Sequence, residues 1–127
     1  MIYGIGTDIV EIARIHASLE KLGDRFAERI LADSELEIYV EHHQKPRYLA
    51  KRYAAKEAAA KALGTGFRDG LSLRHIVVTK GALGKPELHF VHAAEALAQQ
   101  YSICANHLSL SDEQHYAIAY VVLETDR

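Results

Sequence analysis

Two segments of the chain carry charged side chains whose types suit chemistry on a phosphate compound. In the first, Asp8 ends a β-branched, glycine-dotted run with the sequence GIGTDIVEI. A carboxylate at the end of a strand is a usual ligand for a hard cation, and Gly4 and Gly6 allow another group to approach the backbone closely. The alternative is that Asp8 caps a helix that begins near Val10, which is a common role for aspartate.

The second segment, RYAAKEAAAKALGTG, spans residues 52–66. Glu57 and Lys61 stand four residues apart and share one face of a helix, with Tyr53 one turn earlier on that face. One interpretation is an ordinary surface ion pair, worth only a few tenths of a kcal/mol. The other is a metal-binding carboxylate beside a lysine that binds phosphate.

A diphosphate substrate would explain both segments together. Magnesium prefers carboxylates, water and substrate phosphate oxygens as ligands, and a further cation is needed as charge develops on the phosphates. Asp8, Glu57 and Lys61 supply that set, and the backbone at Gly64 and Gly66 offers a place for the phosphate chain. The chain contains no Walker motif, so it is not a P-loop enzyme.

Hydrophobic periodicity predicts the elements that must position these groups. Helices are expected over residues 12–22, near 26–31, over 34–40 from a capping box at Ser34, over 46–63 and over 93–101. Strands are expected over residues 2–9, 75–79, 87–91, around 108–111 and over 116–123, and the last of these is expected to lie centrally. Because helices cluster early and strands late, we predict an α+β fold with a largely antiparallel sheet packed on helices.

Composition sets limits on the function. The 127 residues suit one domain, expected to span 1–127, and a net charge of −2 provides no basic field for nucleic acid. The single cysteine rules out an intrachain disulfide and fits a reducing compartment. We see no signal peptide and no apolar run of about 20 residues, so we expect a cytoplasmic protein with no membrane partner.

Five motifs, in order and at the expected separations, together resemble one enzyme family. They are GIGTDIVEIARI near the start, RFAERILADSE at 25–35, RYAAKEAAAKALGTG at 52–66, GKP at 84–86 and SLSDEQHYAIAYVV at 109–122. The chain is similar to the holo-(acyl-carrier-protein) synthases of the 4′-phosphopantetheinyl transferase superfamily. That resemblance implies transfer of 4′-phosphopantetheine from coenzyme A to a serine of apo acyl carrier protein, for fatty acid biosynthesis, by a homotrimer with active sites between subunits.

The resemblance also implies roles for particular residues. Asp8 and Glu57 would hold Mg²⁺, Lys61 would meet the diphosphate of coenzyme A, and either Glu57 or a metal-bound water would act as general base. The remaining coenzyme contacts are expected at Gly64, Gly66, Lys85, Pro86, Ser109 and Ser111. A basic docking surface for the acidic carrier protein is expected at Arg14, Arg25, Phe26 and Arg29.

Two positions depart from the family pattern, and two other functions stay open. Tyr53 stands where the family often has phenylalanine, and Asp112 stands where many relatives have histidine, so the coenzyme contact at that strand end is in question. The first alternative is a magnesium enzyme that acts on another diphosphate, such as a nucleotide hydrolase. The second is a module that binds a carrier protein without catalysis.

Overall fold

The computed structural model describes residues 1–68 and 70–126. Its helices are α1 (Ile12–Leu22), α2 (Asp24–Ile30), α3 (Asp33–Tyr39), α4 (Lys45–Leu63) and α5 (Ala93–Gln100). Its strands are β1 (Ile2–Glu11), β2 (Ile76–Lys80), β3 (Pro86–Phe90), β4 (Ile103–Asp112) and β5 (Tyr116–Thr125). One antiparallel sheet has the order β1-β5-β4, and β2 and β3 form an antiparallel hairpin, which confirms the predicted α+β class and the central position of β5.

The long helix α4 packs directly on β1 and β5 because the side chains at the contact are small. Every alanine of α4 is buried, which removes the side-chain bulk that would hold the helix away from the sheet. On β1, a Cβ atom at Gly4 would collide with the carbonyl oxygen of Ala62, and one at Gly6 with that of Ala58. The close approach expected at these glycines is therefore made by α4 itself.

The β1-β5-β4 sheet carries apolar side chains on both of its faces. Its inner face, against α4, buries Ala117, Ala119, Val121 and Leu123 of β5. The opposite face, which we call the outer face, leaves Ile5, Ile9 and Ile118 exposed by 56%, 61% and 40%. The period-two alternation of strand side chains places these residues together, since Ile9 pairs with Ile118 in the register of β1 and β5.

A buried ion pair joins the hairpin and α3 to α4. The ammonium of Lys56 lies 2.7 Å from a carboxylate oxygen of Glu35, and both side chains are almost completely buried. The ammonium also donates to the carbonyls of Leu73 and Ile76, and the other Glu35 oxygen accepts from the backbone N–H of Val78. Burial lowers the pKa of Lys56, an effect opposed by the Glu35 carboxylate. Because its bonds are satisfied, this network holds β2 and α3 in one place relative to α4.

Two local predictions were wrong. The first turn of α3 is not capped by Ser34: Glu35 accepts from the backbone N–H of Ala32 at 2.7 Å, so the helix begins one residue earlier than expected. Asp8 does not cap α1 either, because β1 continues to Glu11, which is the N-cap residue.

Among the described residues, no helix is both long and apolar enough to span a bilayer.

We expect Gly6→Ala to lower the free energy of unfolding by about 3 kcal/mol, because the new methyl group meets the backbone of α4 rather than a movable side chain. Urea unfolding at fixed protein concentration measures the change. The control is Gly84→Ala, which has open space around it and a φ of 78°, and should cost about 1 kcal/mol. Equal losses in the two variants would contradict the close packing of β1 on α4.

Candidate active site

Asp8 and Lys61 meet where α4 crosses β1. Asp8 lies inside β1, on the inner face of the sheet opposite Ala119. The ammonium of Lys61 lies 3.2 Å from a carboxylate oxygen of Asp8 and donates to the carbonyl of Thr7 at 2.9 Å. Lys61 thus forms its ion pair with Asp8 and not with Glu57, so the expected surface pair within the helix is not formed. The prediction that Asp8 ends its strand was also wrong, because β1 runs three residues further.

Asp8 and Glu57 line one cavity of about 430 Å³. The cavity lies among β1, α1, α2 and α4, and is also lined by Ile9, Val10, Arg14, Ile15, Ser18, Phe26 and Tyr53. Nearly 50 residues separate these two carboxylates, so the expectation that they share a cation came from their chemistry and from the family resemblance and not from their spacing. Their meeting in one cavity is the arrangement that a shared cation requires.

Tyr53 holds the Glu57 carboxylate from one helical turn away. Its hydroxyl hydrogen-bonds Glu57, and burial followed by the negative charge of Glu57 raises the pKa of Tyr53 to about 12. The phenol therefore keeps its proton at neutral pH and donates to the carboxylate. The phenylalanine that the resemblance led us to expect here would lack this bond, so the orientation of Glu57 in this chain has an additional support.

The donor set of the cavity suits magnesium better than a transition metal. Asp8 and Glu57 offer hard oxygen ligands, whereas within residues 1–68 and 70–126 no cluster of three or more His, Cys, Asp or Glu side chains forms. A closed structural zinc site would need four such ligands. Magnesium commonly takes one or two protein carboxylates and fills its shell with water and substrate phosphates.

The glycines after α4 offer fewer free backbone N–H groups for a phosphate than we expected from the sequence. Gly64 and Gly66 adopt φ values of 83° and 64°, as expected for the end of a helix. The N–H of Gly64 already donates to the carbonyls of Ala60 and Lys61, at 3.1 and 3.0 Å, so it is not free for a phosphate. Of the two, Gly66 is the better candidate for a phosphate contact.

Part of the predicted docking surface belongs to the same cavity. Arg14 and Phe26 line it together with the carboxylates, although the sequence analysis assigned them to a separate surface. Ser18, which the sequence analysis missed, lies one turn after Arg14 on α1, and this spacing of polar residues was the available signal. Arg25 and Arg29 are exposed on α2, where their separation of four residues puts them on one face.

The remaining predicted contacts lie away from the cavity within this chain. Ser109 and Ser111 are exposed on β4 and pair with Tyr120 and Ile118, which places them on the outer face of the sheet, opposite to Asp8. Lys85 and Pro86 lie at the β2–β3 hairpin and do not line the cavity. One folded chain therefore does not bring all the predicted contacts together.

Asp112 is held by two cations of α4. Its carboxylate lies 2.8 Å from the guanidinium of Arg47 and 3.5 Å from the ammonium of Lys51. The hydrogen bond from Arg47 lowers the pKa of Asp112, and burial opposes that shift. Where the resemblance led us to expect a histidine, this chain thus has a carboxylate whose charge is paired within the protein.

A family model matches most of the chain. Residues 4–121 match the model described as the 4′-phosphopantetheinyl transferase superfamily. The holo-[acyl-carrier-protein] synthase of Hamiltonella defensa is 56% identical over 123 residues, which cover 97% of this chain and 98% of that protein. That of Shewanella baltica is 52% identical over 124 residues, 98% of each.

Solved structures show the same fold. The holo-[acyl-carrier-protein] synthase of Neisseria meningitidis superposes with a TM-score of 0.93 at 46% identity, over 98% of this chain and 100% of that one. The enzyme of Helicobacter pylori, solved in complex with coenzyme A, gives a TM-score of 0.83 at 32% identity, over 94% of this chain and 99% of that one.

Proposed function

This chain belongs to the holo-(acyl-carrier-protein) synthases of the 4′-phosphopantetheinyl transferase superfamily, and we propose how its residues carry out the reaction. The reaction transfers phosphopantetheine from coenzyme A to acyl carrier protein. The observation that carries the proposal is the convergence of Asp8 and Glu57 on one cavity, with Lys61 bonded to Asp8 at its edge.

The serine hydroxyl of the carrier attacks the phosphorus that bears pantetheine, and the bond from that phosphorus to the bridging oxygen breaks, releasing adenosine 3′,5′-bisphosphate. Magnesium, when bound by Asp8 and Glu57, supplies electrostatic stabilisation of the phosphate charge. Lys61 would neutralise charge on the leaving side, because its side chain is more than half exposed and its ammonium lies beside Asp8 at the edge of the cavity. Glu57 is within the cavity and is a candidate to accept the serine proton.

The outer face of the sheet supports a trimer with active sites at the subunit boundaries. Besides its three isoleucines, this face exposes Tyr116 and Tyr120 by 40% and 45%, and such contiguous apolar patches mark interaction surfaces. Ile9 belongs to this face and also lines the cavity, so a subunit packed there would border the site. Ser109 and Ser111 lie on the same face and would reach a neighbour's coenzyme rather than their own.

We expect Ile118→Asp to dissociate the assembly and to abolish most activity, because a charge would be buried in the contact. Sedimentation at the assay concentration measures the mass, with Val40→Asp, an exposed apolar residue on another surface, as the control. In a second test, Asp8→Ala mixed with Ser111→Glu should regain activity, since mixed trimers would contain boundaries with both residues intact. A fully active wild-type monomer would refute the proposal.

The exposed arginines of α1 and α2 form the proposed docking surface for the carrier protein. Arg25→Glu with Arg29→Glu should raise the KM for carrier about tenfold at low salt, because charges at a rim set the association rate. The KM for coenzyme A should not change, and the matched Arg25→Gln/Arg29→Gln pair should give a smaller effect. Because the Debye length is about 8 Å at physiological salt, the difference in the KM for carrier between the wild type and the Glu variant should shrink as salt rises. Equal carrier kinetics at every salt concentration would remove these arginines from the docking surface.

The reaction itself is tested by intact-mass analysis of apo carrier protein after incubation with coenzyme A and magnesium. A gain of one phosphopantetheine group is the expected result. Binding without added mass would indicate a carrier-binding module, and release of product from coenzyme A without carrier would indicate a hydrolase.

We further propose that residues 1–127 form one catalytic domain and that it works in the cytoplasm, where the exposed thiol of Cys104 stays reduced.

A further inference from the structure

Two histidine rings meet at the joint between the β2–β3 hairpin and α5. His75 ends a short 3₁₀ turn, Leu73–His75, that leads into β2, and His92 is the residue before α5. Their ring centroids lie 5.4 Å apart, and the ring planes are tilted by 58°. Both residues line a cavity of about 390 Å³ that shares no lining residue with the cavity at Asp8. This histidine pair is therefore separate from the site described above.

A hydrogen bond to Nδ1 holds the ring of His75 in its neutral form. The backbone N–H of Ser72 donates to this nitrogen at 3.2 Å, and the hydroxyl of Ser72 accepts from the backbone N–H of Arg74 at 3.1 Å. A ring nitrogen accepts a hydrogen bond only while it carries no proton, whereas both ring nitrogens are donors in a charged histidine. A proton added to His75 would therefore break its bond to Ser72.

The surroundings of His75 also disfavour a positive charge on its ring. Burial, followed by the neighbouring His92 ring and the guanidinium of Arg74, lowers the pKa of His75. The guanidinium of Arg74 lies 2.5 Å from a carboxylate oxygen of Asp33, but the side chain of Asp33 is 96% exposed, so water weakens its effect. A charged His75 would thus lie beside one permanent cation and one further ring that can be protonated.

The other elements packed here bring no carboxylate to either ring. Within residues 1–68 and 70–126, the ion pairs of histidine involve only His16, His89 and His107. The helix α2, which also packs on the 3₁₀ turn, buries only apolar side chains. The remaining charged or titratable groups of the packed elements are Lys56 and Glu35, which pair with each other, Glu95 in the first turn of α5, and His89, which bonds Thr79.

Two backbone features connect the histidine pair to the position of α5. The carbonyl of His75 accepts from the N–H of Val91 at 2.9 Å, which ties the 3₁₀ turn to the residue before His92. His92 has a φ of 53°, in the left-handed region that residues other than glycine rarely adopt. Such a residue keeps its conformation only while its surroundings hold it there. Repulsion between the two rings would therefore act on a joint that is already strained.

A proton suits this pair better than a metal ion. A metal bound to Nε2 of His75 requires the remaining proton of the ring on Nδ1, yet Nδ1 already accepts from Ser72. In the part of the chain that the structure describes, no cluster of three or more His, Cys, Asp or Glu side chains could hold a metal ion.

We propose that the histidine pair is an acid-sensitive switch that joins the 3₁₀ turn Leu73–His75 to the N-terminus of α5. With neutral rings, the bond from Ser72 is intact and the joint is closed. A proton on His75 removes that bond and places a charge beside His92 and Arg74, so the joint opens.

Acid favours the open joint because the open form takes up the proton more readily. The pKa of His75 is lowered in the closed joint and returns toward the usual histidine value of about 6.5 when the ring reaches water. Opening should therefore increase as the pH falls below about 6.5, and should not depend on this group at higher pH.

The test is hydrogen exchange of the backbone amides in residues 71–78 and 90–98, at about pH 7.5 and about pH 5.5, corrected for the intrinsic exchange rate. In wild type, opening should be about fivefold more frequent at the lower pH, as expected for loss of one hydrogen bond. His75→Asn keeps a side-chain oxygen that accepts from Ser72 and takes up no proton in this range, so its opening should not respond to acid. The matched control His115→Asn removes an exposed histidine between β4 and β5 and should respond like wild type.

His92→Gly separates the switch from the stability of the fold. Glycine adopts the φ of this position without strain, so the variant should be no less stable than wild type at about pH 7.5. It should lose part of the acid response, because one of the two rings is gone. Nuclear magnetic resonance of the ring nitrogens should show Nδ1 of His75 without a proton at about pH 7.5.

An acid response of wild-type size in His75→Asn or in His92→Gly would overturn the proposal, as would a proton on Nδ1 of His75 at about pH 7.5. None of these measurements depends on the transfer reaction, so the proposal stands or falls independently of the proposed function.

Discussion

Alanine at Asp8 or at Glu57 should lower kcat/KM about 100-fold to 1000-fold at saturating magnesium, while the protein keeps its fold. Both carboxylates line one cavity, so each alanine variant would lose one of the two proposed protein ligands of the metal. Their effect should fall on the transition state, where charge on the transferred phosphate is greatest. Steady-state kinetics with coenzyme A and apo carrier protein measure it.

Two controls make this result specific. Glu37→Ala removes an exposed carboxylate of α3 away from the cavity and should leave the rate unchanged. Magnesium binding by the protein, followed by calorimetry without substrates, should weaken in Asp8→Ala and Glu57→Ala but not in the control. Near-normal turnover of either alanine variant would remove that carboxylate from the site.

Lys61→Ala should reduce kcat about 100-fold with a stability change of no more than about 1 kcal/mol. Its ion pair with Asp8 is partly exposed to solvent, so water replaces most of what the fold loses. The diphosphate, by contrast, would lose the ammonium that is bonded to Asp8 at the edge of the cavity, and Arg14 would be the one cation left among the described lining residues. The comparison is between the rate and the urea midpoint of the same variant.

Lys61→Arg distinguishes charge from geometry. A planar guanidinium does not replace a compact ammonium, so we expect only partial recovery of the rate. Full activity of Lys61→Ala would return this lysine to the role of a surface ion-pair partner, now of Asp8 rather than of Glu57. A loss of stability as large as the loss of transition-state stabilisation would likewise argue against a phosphate contact.

The elements of this fold were largely predictable because their signals are local. The helix from Ile12 to Leu22 was predicted with its true bounds, since its apolar residues recur at helical spacing and Gly23 follows. Pro46 lies in the first turn of α4, and Gly64 follows its last residue, as expected. The apolar run from Tyr116 predicted the central strand β5. In each case burial and backbone preference act over a few residues and can be read from the chain.

The ion-pair partner of each charged side chain could be read only from the tertiary structure. The spacing of Glu57 and Lys61 indicated a pair within the helix, but the crossing of α4 over β1 brings Lys61 to Asp8 instead. That crossing depends on Gly6, whose lack of a side chain lets the helix backbone approach.

The charged residues of the protein interior follow the same rule. Neither Lys56 nor Arg52 differs in sequence from a solvated lysine or arginine of an alanine-rich helix, yet one is neutralised by Glu35 and the other is buried without a carboxylate. Local patterns in the sequence were enough to predict the order and type of most elements, the fold class and the family. The tertiary structure decided which charges meet, because electrostatic partners are selected by distance in space and not by separation along the chain.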